Sequence, residues 1–393
     1  MARISISAGA ALLATLAVAP TGAHAATPTC QGKRATIVGS TSVAAVKGTA
    51  GRDVIVGSGE NTISARGGDD LVCSPGGDTI SGGAGADSIV VTGGENFATR
   101  IAGGAGDDRI TVAGLADSVR GDAGADRITT HGAVSQISGG DGNDRVDDTN
   151  GWAAAFGDAG DDVMVGGIGT TLVGGPGRDR NVARAASGTE QGVVMIDAPG
   201  PDSYDGNGDL QNTVSYYNAT SPVRIDLAAG RTTGAGNGGR TDTLVDVRSA
   251  GGSSHADTIL GTPQANRLWG LLPLDDVAVP PEGAGADLIA AGAGDDLVRA
   301  AGTGSRLWGQ DGNDTIETGN TFSQTSGTTS YGGAGDDVLT VSGRAYGGPG
   351  DDTLVGDVWD DVLVGEAGRD TADGRDGTDL CSAETVTACE GTP

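Results

Sequence analysis

Single apolar residues punctuate this 393-residue chain at a regular interval, most of them two places after an aspartate. Ile110, Ile128, Val146 and Met164 stand eighteen residues apart. Each lies near the end of a glycine-rich nonapeptide: GGAGDDRIT (103–111), GDAGADRIT (121–129), GGDGNDRVD (139–147) and GDAGDDVMV (157–165). A helix would need apolar positions every three or four residues, and so many glycines would break it. An ordinary strand would be weakened too. The pattern instead predicts a six-residue turn followed by a three-residue strand whose middle side chain faces inward. One such unit buries almost nothing alone, so the copies must stack into an all-β solenoid.

Aligned, the copies read Gly-Gly-x-Gly-x-Asp-x-U-x, where U is Ile, Val, Leu or Met. Glycines in the turn reach backbone angles closed to other residues and let carbonyl groups converge on one spot. The aspartate adds a carboxylate, and hard oxygens of both kinds are what Ca²⁺ prefers. This repeat resembles the calcium-binding nonapeptide of the RTX family, over residues 48–182 and 252–382. The resemblance implies a parallel β-roll in which successive nonapeptides turn at opposite edges. A full coil then takes eighteen residues, and an ion sits between turns one coil apart. It also implies several Ca²⁺ ions as cofactor, with a chain loose at cytosolic calcium and folded by external calcium.

Glycine two places before the aspartate marks the turns expected to hold metal. In the first array these end at Asp53, Asp70, Asp87, Asp108, Asp126, Asp144, Asp162 and Asp179, at gaps of 17, 17, 21, 18, 18, 18 and 17. They fall on one edge, where consecutive members should share ions. The intervening turns are degraded. GSGENTIS (57–64) and VAGLADSVR (112–120) lack the fourth-position glycine, and HGAVSQIS (131–138) and NGWAAAFG (150–157) lack the aspartate as well. Only Gly76-Gly77-Asp78 keeps both, so the first array should be one-sided. The second array carries Asp287, Asp296, Asp314, Asp337, Asp352, Asp361, Asp370 and Asp379. From Asp352 onward the gap is nine, which places carboxylates on both edges, with Asp361 weakened by Trp359 at the glycine position. Between the arrays, residues 183–251 break the period. TVSYYNATSPVRIDLAAG (213–230) alternates like paired strands, and the segment reads as a strand-rich insert joining two rolls.

Charge narrows the partners. With 52 acidic against 24 basic residues, the net charge of −28 argues against nucleic acid and anionic membranes and points to cations. Residues 1–25 carry Arg3, an apolar run at Ala10–Ala19 and the ending Ala23-His24-Ala25. They read as a secretory signal peptide, which predicts an extracellular protein. No later stretch reaches eighteen apolar residues, so membrane insertion is not expected. RTX proteins commonly leave by a dedicated exporter that reads a C-terminal signal, and this leader departs from that pattern. Residues 26–47 and 383–393 are expected to cap the ends. Cys30, Cys73, Cys381 and Cys389 lie in two groups that favour Cys30–Cys73 and Cys381–Cys389, although three pairings are formally allowed. Bridges there would hold caps over the open coils.

No catalytic residue is expected. His131 and His255 stand far apart without HExxH, and no Gly-x-Ser-x-Gly elbow occurs. Carboxylate pairs such as Asp69-Asp70 and Asp295-Asp296 fall at positions five and six of a repeat, which already explains them. Three functions compete: a structural or surface- and matrix-associated calcium-binding protein, an adhesin presenting loops at Asn150–Phe156 or Thr318–Ser330, and a polysaccharide-modifying enzyme. The first accounts for every feature.

Overall fold

The computed structural model describes residues 27–42, 44–93, 99–148, 150–184, 191–234, 241–270, 286–300, 304–318 and 327–393. The leader at 1–25 and most of the loop at 318–330 lie outside the described residues. Among those described, the regular structure is all strand and turn, and no helix is long and apolar enough to cross a membrane.

The chain winds between two parallel sheets. The first begins at Ile37–Val38 and Val54–Val56, runs through Arg109–Val112 and Arg127–Thr130, and ends at Leu380–Ser382. The second begins at Ala45–Lys47, runs through Ala116–Ala123 and Val134–Asp141, and ends at Thr385–Thr387. Each coil adds one strand to each sheet, and like positions pair. Ile110 lies between Ile89 and Ile128 in the first sheet, and Ile137 between Val119 and Ala155 in the second. These residues face inward and are fully buried. The inward-facing position two places after each turn aspartate is thus realised.

The core is correspondingly thin. Its columns are Ile55, Val72, Ile89, Ile110, Ile128 and Val146 on one side, with Ile63, Ile80, Ile101, Val119 and Ile137 on the other. Burying one such side chain contributes about 1.5–3 kcal/mol. Ordering the nine residues that carry it costs about 1–2 kcal/mol per residue. A coil therefore depends on its neighbours and on whatever satisfies its turns.

The strand-rich segment at 183–251 does not interrupt this winding. Val194–Ile196, Thr213–Ser215 and Ser249–Gly251 continue the second sheet from Thr171–Val173 to Arg267–Trp269. In the first sheet Ser203–Asp205 pairs with Thr241–Val245, and Arg231–Thr233 runs antiparallel between that strand and Arg224–Asp226. The parallel stack then resumes at Thr258–Leu260. The two arrays and the segment between them form one continuous solenoid with an antiparallel detour. Inward Val214 and Ile225 keep the core columns unbroken where the glycine turns lapse.

Disulfides join Cys30 to Cys73 and Cys381 to Cys389. The first does not sit over an open coil. Cys30 belongs to a short hairpin, Thr29–Cys30 with Lys33–Arg34, and packs with Val54 and Leu71. Those residues alternate with inward Ile55 and Val72, so this hairpin braces the outside of the first sheet. The second bridge does close an end. Cys381 is the last inward residue of its column, its N–H donates to the Gly391 carbonyl, and the tail folds back beside Leu380.

Candidate metal centre

At the end of each glycine turn the aspartate is buried, and its Oδ1 is bonded to the coil before it. The Asp53 N–H donates to Asp70 Oδ1, Asp70 to Asp87, Asp87 to Asp108, Asp108 to Asp126, Asp126 to Asp144, Asp144 to Asp162 and Asp162 to Asp179, all at 2.7–2.8 Å. Carboxylates in the row recur at the spacing of adjacent strands, about 5 Å. Position five makes a second, exposed ladder of opposite sense: the Ala86 N–H donates to Asp69 Oδ1 and the Ala125 N–H to Asp107 Oδ1. The Asp-Asp pairs are therefore two rungs, one inner and one outer.

The second oxygen of the inner aspartate divides the turns into two kinds. At Asp70, Asp87, Asp108, Asp126, Asp144, Asp162, Asp179, Asp296, Asp314, Asp337, Asp352, Asp370 and Asp379, Oδ2 is buried and accepts no hydrogen bond. In every one of these turns the residue four places earlier has left-handed backbone, as at Gly104 (φ 121°) and Asp122 (φ 76°). Three other turns cap themselves. The Thr49 N–H donates to Asp53 Oδ2 at 2.7 Å and the Asp357 N–H to Asp361 Oδ2 at 2.8 Å, and in neither donor is φ positive. Asp78 Oδ2 takes the Ser74 hydroxyl at 2.6 Å. Left-handed backbone at the second turn position thus goes with a buried Oδ2 that the turn's own N–H does not satisfy.

Those unsatisfied oxygens face carbonyls. A Cβ placed on Gly82, Gly103, Gly121, Gly139 or Gly157 would collide both with Oδ2 of its own turn's aspartate and with the carbonyl oxygen of the glycine one coil on. The space is a cradle lined by a carboxylate and a carbonyl, both hard donors, repeated coil after coil. A buried polar atom left without a partner costs about 1–3 kcal/mol, and a cation is the partner this donor set fits.

The rows change sides. Asp53 through Asp179 lie on the edge that leads into the first sheet, and Asp78 lies on the opposite edge beside Asn61. Asp287 is still on the first edge. Asp296, Asp314, Asp337, Asp352 and Asp370 form the ladder of the second edge, while Asp361 and Asp379 pair on the first. Among the described residues of 100–170 the second edge carries no inner carboxylate ladder. Asp117 there is half-exposed and bridges Arg100 at 2.9 Å.

The ladders also take in residues that the sequence pattern does not single out. The Asp179 N–H donates to Asp202 Oδ1, and the Asp202 N–H to Asp242 Oδ1. Asp257 precedes Asp287, and Asn266 precedes Asp296. Glu384 and Glu390 end the ladders after Asp370 and Asp379. Gly200 before Asp202 was a readable signal, whereas Asn266 and the glutamates sit outside any Gly-x-Asp pattern.

Burial in the rows works against charge. It pushes the carboxyls of Asp87 and Asp162 up to about 6 and those of Asp108, Asp144 and Asp179 up to about 7, opposed by the backbone N–H bond each accepts. Neighbouring carboxylates add to the rise, Asp87 and Asp126 for Asp108. Asp296 and Asp337 reach about 7, and Asp314 and Asp352 about 6, for the same reasons.

Fold and donor set together define a calcium-binding parallel β-roll. The RTX calcium-binding nonapeptide repeat matches at residues 45–72, 74–98, 93–128, 102–137, 113–146, 155–173, 283–302, 304–320 and 346–381. The chain belongs to that family. No curated protein matches it.

Proposed function

We propose that this is an exported protein whose roll folds around extracellular Ca²⁺ and serves as a structural or surface-associated scaffold. The buried row of partnerless Oδ2 atoms carries this reading. Bound cations would supply the missing partner of each open turn and neutralise carboxylates stacked one coil apart. The thirteen open aspartates would hold them, with Asp53, Asp78 and Asp361 weaker because their own turns already satisfy Oδ2. Asp287, whose glycine turn lies outside the described residues, is a further candidate ligand on the first edge. Calcium would be held by structure throughout, with no catalytic role. His255 fits this: it occupies the fourth place of a turn in which the Ser253 hydroxyl donates to Asp257 at 3.0 Å. Export rests on the leader and on the two disulfides, which suit an oxidising compartment.

A presenting role on this scaffold is favoured by Trp152, which stands 61% exposed on the bare edge of the first array. Equilibrium dialysis with calcium tests the main reading. Several equivalents bound in step with folding support it, and no bound calcium at millimolar concentration overturns it.

A further inference from the structure

The residue that follows each turn aspartate faces out of the roll. In five consecutive coils of the first array it is Arg109, Arg127, Arg145, Val163 and Arg180. In the second array the same position holds only threonine or an aliphatic residue. Arg109 pairs with Arg127 and Arg127 with Arg145 in the parallel ladder, and Val163 and Arg180 continue that column. Guanidinium groups therefore follow one another at the strand spacing, about 5 Å. Like charges directly opposite in adjacent strands are destabilising, and this face offers them little relief. Among the described residues Arg109 and Arg127 form no ion pair. Arg145 and Arg180 approach Asp147 and Asp205 only to 3.7 and 3.6 Å, too far for a hydrogen bond.

Where Val163 interrupts the column, the face is hollow. A depression of about 320 Å³ opens there, lined by Arg145, Arg180 and Arg184 and by the short side chains of Val163, Val165 and Val182. Asp205 also lines it, but its Oδ1 already accepts the Asn207 N–H at 3.1 Å. Three guanidiniums thus face one carboxylate that is partly engaged. Arg145 and Arg180 stand two strands apart, about 10 Å. The five strands contain no aromatic residue, so a nucleic-acid base would find nothing to stack on.

We propose that this arginine column and its depression bind a linear acidic polysaccharide, a chain of carboxylate-bearing sugars laid along the axis of the solenoid. The planar fork of arginine matches a carboxylate with two parallel hydrogen bonds. A pyranose ring advances a polymer by about one strand spacing and carries an apolar face of C–H groups, which suits the valines between Arg145 and Arg180. A row of bare phosphates would be served better by an unbroken arginine column than by one that valine interrupts. The net charge of the chain opposes any polyanion at long range. Much of that acidic excess sits in the edge rows, where bound calcium would neutralise it, and to that extent the inference rests on the calcium reading. The column itself lies on the outer face of the sheet and uses none of the row aspartates.

The test is titration calorimetry of the full chain in saturating calcium, with circular dichroism of each sample to confirm the sheet. The probes are an octasaccharide of alternating glucuronate and N-acetylglucosamine, the same octasaccharide with its carboxylates reduced to alcohols, and inorganic polyphosphate. The first carries a carboxylate on every second sugar, the interval from Arg145 to Arg180. It should bind, more weakly as salt rises, and its reduced form should not. Arg145→Gln combined with Arg180→Gln should weaken binding at least about tenfold. Arg299→Gln, in the other sheet and bonded to Glu317, should leave it unchanged. Val163→Arg installs the residue that neighbouring coils use and fills the depression, so it should weaken the octasaccharide while tightening polyphosphate. No binding of the octasaccharide by a chain with its sheet intact overturns the inference, as does equal binding of the reduced form. So does a Val163→Arg variant that tightens both anions, which would mean a bare row of charge with no place for a sugar ring. If the sheet forms without calcium, the reading of the rows fails, and the same comparison in calcium-free buffer still decides this one.

Discussion

Asp126 gives one carboxylate oxygen to the chain and leaves the other unused. Its Oδ1 takes the Asp108 N–H at 2.7 Å, while Oδ2 lies buried without a donor. Removing the side chain should therefore do two things. It strands a buried N–H, which costs about 1–3 kcal/mol, and it opens the row on both sides. Asp126→Ala is expected to lose more than one calcium equivalent by titration calorimetry. Asp117→Ala should lose none and change stability by less than about 1 kcal/mol, because Asp117 is an exposed partner of Arg100. Equal calcium losses in the two variants would contradict the one-sided first array.

The same oxygens set a pH dependence. Without calcium, Asp108, Asp144 and Asp179 titrate near 7 in the folded chain, against an ordinary value of 3.8. The folded state then binds more protons than the unfolded one between those values, so the stability these groups contribute is fully present below about 3.8 and lost as pH rises through 7. The calcium-free chain should hold more β-sheet at pH 5 than at pH 8. Saturating calcium should reverse that order, since the ion needs the charged carboxylate. A calcium-free sheet content that rises with pH would contradict the burial of the rows.

At the scale of the element, the six-residue turn comes in two forms, and one residue selects between them. Thr49 donates both its N–H and its hydroxyl to Asp53 Oδ2, at 2.7 and 3.0 Å. Thr49→Gly removes the hydroxyl and permits the left-handed backbone that every open turn shows. This variant is expected to bind one additional calcium equivalent in dialysis, and unchanged stoichiometry would count against the division into open and capped turns. The Gly-x-Asp signature could not reveal this, because Asp53 carries it as fully as Asp70 does. The difference lies two places further back, in whether the chain turns left or the turn's own N–H reaches Oδ2. Trp359 beside Asp361 was a fair warning, but the capping there is done by Asp357.

Over the whole molecule the winding was legible because one apolar residue per half coil recurs at close to nine residues through most of both arrays. The continuity through 183–251 was not. There most turns lose their glycines, and the inward columns, Met195 and Val214 on one side and Tyr204 and Leu244 on the other, preserve the coil together with the Asp179–Asp202–Asp242 ladder. The change of edge between Asp287 and Asp296 was also hidden, since a gap of nine says that two turns are opposite without saying which side the longer row follows. The N-terminal bridge was expected over an open end and instead braces the outer face through Cys30, Val54 and Leu71. Reducing both disulfides in saturating calcium should lower Tm while leaving sheet content intact below the transition. Loss of the sheet at ambient temperature would mean the bridges, rather than the stacked turns, hold the roll.

With affinities of about 0.1 mM and about 1 mM calcium, each filled site adds about 1.4 kcal/mol. Several together are comparable to the whole stability of a domain, about 5–15 kcal/mol. Calcium should then decide whether this thin-cored solenoid folds. Far-ultraviolet circular dichroism of the full chain, taken through a calcium titration and reversed with excess chelator, tests this most directly. The account predicts a cooperative gain of β-sheet signal at submillimolar to millimolar calcium and its loss on chelation. A sheet signal that is complete without calcium and unmoved by chelator would contradict it.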